Sequence, residues 1–217
     1  MKQLLDDVQN WINQSDKRVI IGISGHGAAG KSTFANELKK RMKLDNVNVL
    51  GTDPYIIDSE IRNKTRLTYH YENQEHHYKM TACHPAAHHL PSLERDIQMI
   101  RDGVGFYTID THYAKSEWMS PEKRITIVEG MSVAFINPEA FDLKIYFYTD
   151  GETEFQGRAV RDINERGRNI DQLRLSHNER RIQYELFMHP YHEHFDIIVK
   201  NSKEVAYLNT FISSSLK

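Results

Sequence analysis

The feature that most constrains this chain is a glycine-rich turn that follows a short apolar run. Its sequence, Gly25-His26-Gly27-Ala28-Ala29-Gly30-Lys31-Ser32, satisfies the pattern G-x-x-x-x-G-K-[ST]. Glycine lets the backbone turn tightly and aim successive N–H groups at phosphate oxygens. A helix that begins near Lys31 would add its positive end to the same anion. The turn therefore predicts a binding site for the phosphates of a nucleotide.

Apolar runs and amphipathic segments alternate on both sides of this turn. Buried strands are predicted over 18–24, 47–52, 125–128, 143–148 and 196–199, and helices over 2–14, 31–43, 90–100, 152–165, 174–188 and 205–212. Strands separated by helices form a parallel sheet with helices on both faces. The chain is therefore predicted to be an α/β protein with about five parallel strands. Ligands of such sheets bind beyond the carboxyl ends of the strands.

The stretch 54–88 has no clear periodicity and is rich in tyrosine and histidine. We interpret it as a mobile or partner-facing lobe. The whole chain, 1–217, is then one domain that carries a substrate-binding lobe over 54–124 and a lid over 151–172.

Composition excludes several classes of protein. No run of about 18 apolar residues is present, which argues against a membrane span. The formal net charge of -2 offers no general field for nucleic acid. Cys83 is the only cysteine, and the first residues have no apolar signal core. A cytoplasmic protein is expected.

Residues of the glycine-rich turn can be given chemical roles. Lys31 can reach the outer phosphates of a nucleotide, and the Ser32 hydroxyl can ligate Mg²⁺. The predicted nucleotide-binding set is Gly25, His26, Gly27, Ala28, Ala29, Gly30, Lys31, Ser32 and Thr33. The alternative is an ordinary glycine-rich connection between a strand and a helix.

Two acidic residues follow predicted strands. Glu129 ends the run ITIV and can hold Mg²⁺ or its waters, unless it is only a helix N-cap. Asp53 ends the second strand and could take a proton from an attacking hydroxyl, unless it only forms a turn before Pro54. The guanine-reading pattern N-K-x-D is absent, which argues against a GTPase switch.

An arginine-rich segment follows the predicted strand 143–148. Its four arginines are Arg158, Arg161, Arg166 and Arg168, and Gly167 interrupts the helical pattern. Mobile guanidinium groups can neutralise the charge that develops in phosphoryl transfer and exclude water. The alternative is a solvated helix face paired with Asp162 and Glu165.

Together these features resemble the uridine kinase/phosphoribulokinase family of P-loop kinases. The resemblance covers about Val19 to Val199. Its landmarks are GISGHGAAGKST, Asp53-Pro54-Tyr55, His84-Pro85-Ala86 before LPSLERDIQMIRDG, Tyr107 with His112, IVEG, DLKIYFYTD and RAVRDINERGR. It implies a P-loop NTPase-type fold and an ATP-dependent kinase with Mg²⁺. The γ-phosphate would pass to a hydroxyl of a small metabolite, a nucleoside such as uridine or cytidine.

The resemblance also implies roles for individual residues. Asp53 would be the catalytic base and Glu129 an acid of the magnesium site, with Lys31, Arg166 and Arg168 assisting transfer. Arg158 and Arg161 would contact the nucleotide, and Arg161 and Arg166 also the acceptor. Tyr107 and His112 match positions that line the nucleoside pocket, and Tyr55 and His84 are expected beside the acceptor. Family members often assemble, so a homo-oligomer is left open.

Two positions depart from the family pattern. Cys83 stands where an aspartate usually grips the ribose hydroxyls, and Ser176 where a glutamine reads the base. The expected result is retained phosphate chemistry with a rebuilt acceptor pocket. The alternatives are a kinase for a ribosyl pyridine nucleoside, pantothenate or a sugar phosphate, or an inactive nucleotide-binding regulator. Arg62, Lys64 and Arg66 are candidates to bind a phosphorylated acceptor.

Five histidines lie close to Cys83 in sequence: His76, His77, His84, His88 and His89. Two of them, His84 and His88, have the i,i+4 spacing with which a helix can present two nitrogens to one metal. Pro85 favours a loop instead. We favour hydrogen bonding or surface exposure over a metal site.

Overall fold

The structure, a computed structural model, describes the backbone of residues 1–43, 46–166, 170–201 and 206–210, and their side chains outside 160–172 and 206–210. The helices are α1 (Lys2–Asn13), α2 (Lys31–Arg41), α3 (Ser59–Lys64), α4 (Leu90–Arg101), α5 (Gly151–Arg166) and α6 (Ile170–Phe187). The strands are β1 (Val19–Gly25), β2 (Val47–Gly51), β3 (Arg66–Tyr71), β4 (Gln74–Lys79), β5 (Phe106–Tyr107), β6 (Trp118–Met119), β7 (Ile125–Glu129), β8 (Leu143–Tyr148), β9 (Ile197–Asn201) and β10 (Ala206–Thr210).

A six-stranded sheet forms the centre of the fold, in the order β10-β9-β8-β1-β7-β2. Its five strands from β9 to β2 pair in parallel, which confirms the predicted fold class. In register, Glu129 at the end of β7 lies between Ile23 of β1 and Gly51 of β2. The ends of three neighbouring strands therefore meet at one edge of the sheet.

The predicted helix over 205–212 is wrong for the part that is described. Residues Ala206–Thr210 form β10, which pairs antiparallel with β9 and extends the edge of the sheet. Backbone pairing with β9 provides hydrogen bonds that the spacing of Val205, Leu208, Phe211 and Ile212 could not reveal.

The two faces of the sheet are covered by different helices. On one face, Ile21 and Ile23 lie in an apolar cluster with side chains from α1 and α2, such as Leu5 and Leu38. On the other face, Ile20 lies in a cluster with Leu93, Ile97 and Ile100 of α4. Burying each such side chain stabilises the fold by roughly 1.5–3 kcal/mol. This packing holds the strand ends in fixed positions.

The stretch 54–88, for which only a lobe was predicted, contains α3 and a β3–β4 hairpin. The hairpin docks on α6: the Tyr69 hydroxyl donates to Glu179 at 2.8 Å, and the Tyr71 hydroxyl donates to Glu185 at 2.5 Å. The lobe is thereby connected to a helix more than 100 residues further along the chain. Among the described residues, no helix is both long and apolar enough to cross a membrane.

Candidate active site

The glycine-rich turn connects β1 to α2 at the edge where the strand ends meet. Gly25 has φ +140°, and a Cβ there would lie 1.8 Å from the carbonyl oxygen of Phe147. Gly30, at the start of α2, has φ +99°. Within the described part of the chain, the N–H groups of residues 27–30 form no hydrogen bond to protein. Free N–H groups ahead of a helix N-terminus suit a bound anion.

His26, whose ring is fully buried, holds the glycine-rich turn in place. Its Nδ1 lies 2.8 Å from the Gly27 carbonyl oxygen, and its Nε2 accepts the Thr149 N–H at 2.9 Å. This pairing requires a neutral ring with the proton on Nδ1. Burial lowers the pKa of His26 to about 4, so the ring is neutral at neutral pH. His26 therefore contributes to the shape of the turn and not to its charge.

Lys31, Ser32 and Glu129 form the polar centre of the site. The Lys31 ammonium donates to the His26 carbonyl at 3.0 Å and lies 3.8 Å from the Glu129 carboxylate. The Ser32 hydroxyl donates to the same carboxylate at 3.1 Å. Burial raises the pKa of Glu129 and lowers the pKa of Lys31. These residues come from two neighbouring elements, β7 and the start of α2.

Asp53 lies beside this centre, two residues beyond the end of β2, the strand that pairs with β7. The Thr52 N–H continues the β2–β7 ladder by donating to the Glu129 carbonyl at 2.8 Å. A 3₁₀ turn over Asp53–Tyr55 then presents the Asp53 side chain to solvent. The charge of Asp53 raises the pKa of both Lys31 and Glu129. Burial has a larger effect on each of these two pKa values. Asp53 is thus an exposed carboxylate within electrostatic range of both.

The donor atoms around Ser32 fit a hard cation. Mg²⁺ that binds nucleotide phosphates also takes oxygen ligands from protein, such as a hydroxyl and a carboxylate. Here the Ser32 hydroxyl and the Glu129 carboxylate are 3.1 Å apart. No group of three or more histidine, cysteine, aspartate or glutamate side chains that could hold a metal occurs in the described part of the chain. His88, one of the histidines near Cys83, instead contacts Ser132 at 2.8 Å and the Ala82 carbonyl at 2.9 Å.

Two residues expected beside the acceptor have structural contacts. Tyr55 is fully buried, and its hydroxyl donates to Asp96 of α4. It therefore anchors the turn that carries Asp53 and presents no surface to a substrate. His84 is half-buried, accepts the Ala86 N–H at 3.1 Å and packs against the Phe187 ring, with centroids 4.8 Å apart.

The short β5–β6 hairpin and its loop carry exposed aromatic side chains, one of which contacts Asp53. Tyr107 is 71% exposed and packs against Trp118, and His112 is exposed and packs edge-on against Tyr113. The Tyr113 hydroxyl donates to the Asp53 carbonyl at 3.0 Å. Sequence reasoning missed Tyr113, because no local pattern reveals a bond between residues 60 positions apart.

The four lid arginines are described to different extents. Arg158 on α5 is buried, and its Nη1 lies 3.4 Å from Nδ1 of His177 on α6. Arg161 and Arg166 lie on α5 but their side chains are outside the described set, and Arg168 lies outside the described residues altogether. Their proposed contacts with phosphate remain predictions.

The two positions that depart from the family pattern are both uncharged and partly or wholly buried. Cys83 is fully buried, and burial raises the pKa of its thiol. The Ser176 hydroxyl donates to the Leu173 carbonyl in its own helix at 2.9 Å. Neither offers a carboxylate or an amide to an acceptor.

A buried carboxylate and two arginines lie near the glycine-rich turn, and sequence reasoning did not single them out. Glu154 of α5 lies 3.5 Å from His26, 3.3 Å from Arg181 and 3.9 Å from Arg180. The run Glu179-Arg180-Arg181 has the appearance of a solvated helix face, so only tertiary structure shows that these charges turn inward.

Comparison with known proteins gives a family match, related sequences and a related fold. The sequence model of the phosphoribulokinase/uridine kinase family matches residues 20–207. The chain is 29% identical to a uridine kinase of Lactobacillus helveticus over 87% of this chain and 89% of that protein. It is 31% identical to a uridine kinase of Staphylococcus haemolyticus over 83% of this chain and 86% of that protein. The solved structure of D-glycerate 3-kinase from Cryptococcus neoformans var. grubii shares the fold, with a TM-score of 0.61, 12% identity and coverage of 97% of this chain and 98% of that one.

Proposed function

The chain belongs to the phosphoribulokinase/uridine kinase family and is an ATP-dependent kinase that acts on a hydroxyl; we propose that its acceptor is a nucleoside such as uridine or cytidine. The observation that carries this proposal is the meeting of three elements at one sheet edge. The glycine-rich turn, Glu129 bonded to Ser32, and Asp53 at the end of the next strand lie side by side. A phosphate donor and an acceptor hydroxyl can meet there.

We propose the following roles for the residues of the site. The N–H groups of residues 27–30 and the Lys31 ammonium bind the phosphates of ATP. Ser32 and Glu129 would hold Mg²⁺, which when bound supplies neutralisation of phosphate charge. Asp53 accepts the proton of the attacking hydroxyl, and Tyr113 holds the backbone of Asp53 in place. Residues 54–124 form the acceptor lobe, and 151–172 form a lid whose arginines exclude water.

Substitution of the proposed base tests this assignment. Asp53→Asn keeps the size of the side chain and removes its basicity. ATP binding, measured by calorimetry, should stay nearly unchanged, because Asp53 lies beyond the phosphate turn. Phosphoryl transfer should fall by about 10²–10⁴-fold, as expected when a general base is lost.

The matched control is Asp102→Asn, the same chemical change at an exposed residue after α4. It should transfer phosphate at the wild-type rate. Equal turnover in Asp53→Asn and wild type, with an acceptor that is phosphorylated, would remove Asp53 from its role.

A second class of acceptor is favoured by one observation. Arg62 of α3 is half-buried, with its Nε donating to the Ile57 carbonyl at 2.8 Å. Burial, and then the charge of Arg180, lower its pKa, so two guanidinium groups lie within electrostatic range of each other. Cys83 lies within electrostatic range of both, and the nearby carboxylates are Asp58 beside Arg62 and Glu154, 3.9 Å from Arg180. Such a site suits an acceptor that carries a phosphate or a carboxylate, as sugar phosphates and pantothenate do.

An acceptor panel separates these possibilities. Nucleosides, ribosyl pyridine nucleosides, pantothenate and sugar phosphates are incubated with ATP and Mg²⁺, and ADP is measured above the background without acceptor. Stimulation by nucleosides supports the first proposal. Stimulation by anionic acceptors that is lost in Arg62→Gln supports the second. ATP binding without any stimulation indicates a nucleotide-binding regulator.

A further inference from the structure

One arginine reaches the phosphate-binding turn from α6, outside the lid segment. A methyl group added at Gly27 would lie 3.8 Å from Nη2 of Arg180. Gly27 is the third residue of the turn, so the guanidinium lies directly against the backbone that would surround the phosphates. Burial lowers the pKa of Lys31, and the charge of Arg180 acts in the same direction, so the two cations lie within electrostatic range of each other.

The partners of Arg180 leave much of its hydrogen-bonding capacity unused. Its Nε is buried and has no hydrogen-bond partner among the described residues. Its Nη2 donates to the Met131 sulfur at 3.3 Å, which is a weak acceptor, and the nearest Glu154 oxygen lies 3.9 Å from Nε. The side chain is only 17% exposed, so water replaces few of the missing partners. Leaving donors of a charged group unpaired at such a position is costly.

The neighbouring arginine provides the contrast. Arg181 donates to the Thr149 carbonyl at 3.0 Å, to Glu154 at 3.3 Å and to Glu185 at 3.0 Å. Its guanidinium is therefore occupied by protein acceptors. The two adjacent side chains share Glu154, but only Arg181 has the contacts of a structural ion pair.

We propose that Arg180 is a further phosphate-binding residue of this kinase, which contacts the terminal phosphate of ATP across Gly27. The inference rests on the proposed function only in taking ATP as the donor. Glu154 and Met131 hold the guanidinium in position, and its Nη groups, which lie against Gly27, are available to anionic oxygens. Arg180 lies against Gly27 of the phosphate turn and within electrostatic range of Arg62, which we assign to the acceptor lobe. It can therefore stay on the phosphoryl group as that group moves.

The proposal is tested by nucleotide affinity, which requires no acceptor. ATP and ADP are titrated calorimetrically in the presence of Mg²⁺ against wild type, Arg180→Gln and Arg180→Lys. Loss of charge-assisted hydrogen bonds to the terminal phosphate should weaken ATP about tenfold in Arg180→Gln, with the affinity for ADP changed by less than about twofold. Arg180→Lys should restore part of the preference for ATP, because it keeps the charge but not the planar fork.

The matched control is Arg181→Gln, which removes the same group one residue away. It should change the affinities for ATP and ADP by the same factor, because Arg181 is occupied by protein acceptors. Equal weakening of both nucleotides in Arg180→Gln, or no change in either, would overturn the proposal. If Arg180→Gln does not fold, Arg180→Lys alone decides, since an unaltered ATP-to-ADP affinity ratio contradicts a contact with planar geometry.

Failure of this inference can be told apart from failure of the proposed function. A protein that phosphorylates no acceptor, yet loses ATP preference in Arg180→Gln, keeps the inference and loses the nucleoside kinase. If the protein phosphorylates a nucleoside and Arg180→Gln does not change its preference for ATP, the nucleoside kinase proposal stands and the inference about Arg180 is wrong. A wild-type protein that binds neither nucleotide contradicts both.

Discussion

At the scale of single residues, His26 shows how a turn that must leave its own N–H groups free is stabilised from behind. The imidazole contacts the Gly27 carbonyl and accepts the Thr149 N–H, so it links the turn to the end of β8. The bond from Thr149 needs the neutral ring, because a second ring proton would point at the Thr149 N–H. The structure of the turn is therefore coupled to the protonation of one buried side chain.

This coupling predicts a loss of stability in acid. The pKa of His26 is about 4 in the folded chain, below its ordinary value of 6.5. Its contribution to stability is fully present above pH 6.5 and is lost as the pH falls from there toward 4. Between pH 7 and pH 5 the free energy of unfolding should fall by about 2 kcal/mol from this group alone. Urea unfolding at the two pH values measures the change.

His26→Asn isolates the effect of this histidine. The variant should lose less stability than wild type between pH 7 and pH 5, by about the same 2 kcal/mol. His88, whose pKa burial also lowers to about 4, is present in both proteins and cancels in the comparison. The control is His70→Asn, a change at an exposed side chain, which should lose as much as wild type. Parallel pH profiles for wild type and His26→Asn would contradict the prediction.

At the scale of elements, Gln183 of α6 is the central contact for the β3–β4 hairpin. Its fully buried side chain accepts from the Thr81 N–H at 2.9 Å and the Thr81 hydroxyl at 2.8 Å. Its amide donates to the Lys79 carbonyl at 2.9 Å and to the Tyr69 hydroxyl at 3.1 Å. One side chain thus satisfies four groups within residues 69–81, and it connects that segment to the helix that carries Arg180.

Removing this amide should undock the hairpin. Gln183→Ala leaves the buried Thr81 N–H and the Thr81 hydroxyl proton without their acceptor, so the free energy of unfolding should fall by about 2–4 kcal/mol. Urea unfolding measures the total, and hydrogen exchange at the hairpin amides shows whether the loss is local. Gln98→Ala, which removes an exposed amide from α4, should stay within about 0.5 kcal/mol of wild type. Wild-type stability in Gln183→Ala would contradict this role.

The same elements show what sequence can and cannot predict. β1, β7 and β8 are short apolar runs buried on both faces, and their amino acids alone identify them. The glycine-rich turn is equally local. The hairpin of 66–79 cannot be identified from local sequence, because most of its side chains are exposed and its stability comes from contacts with α6. Arg180 and Tyr113 were missed for the same reason, since their partners lie far away in sequence.

At the scale of the whole molecule, Glu154 connects the phosphate turn to both helices of the arginine-rich region. Glu154 lies in the first turn of the helix α5. It is 3.5 Å from His26 of the glycine-rich turn and pairs with Arg181 of α6 at 3.3 Å. Since the β3–β4 hairpin docks on α6, the hairpin, α5 and the glycine-rich turn are all connected to one buried carboxylate. Removing the charge of Glu154 should therefore destabilise all three.

Glu154→Gln is therefore expected to lower the free energy of unfolding by about 2 kcal/mol or more. Removing one partner of a buried ion pair costs about 3–5 kcal/mol, and the partial exposure of Arg180 and Arg181 reduces that cost through solvent screening. In the double variant with Arg181→Gln, the two losses should not add, because each removes the same interaction. Glu152→Gln, an exposed residue in the same helical turn, is the control and should unfold like wild type. Additive losses in urea unfolding would show that Glu154 and Arg181 act independently, and that the turn and α6 are not held by a common charge.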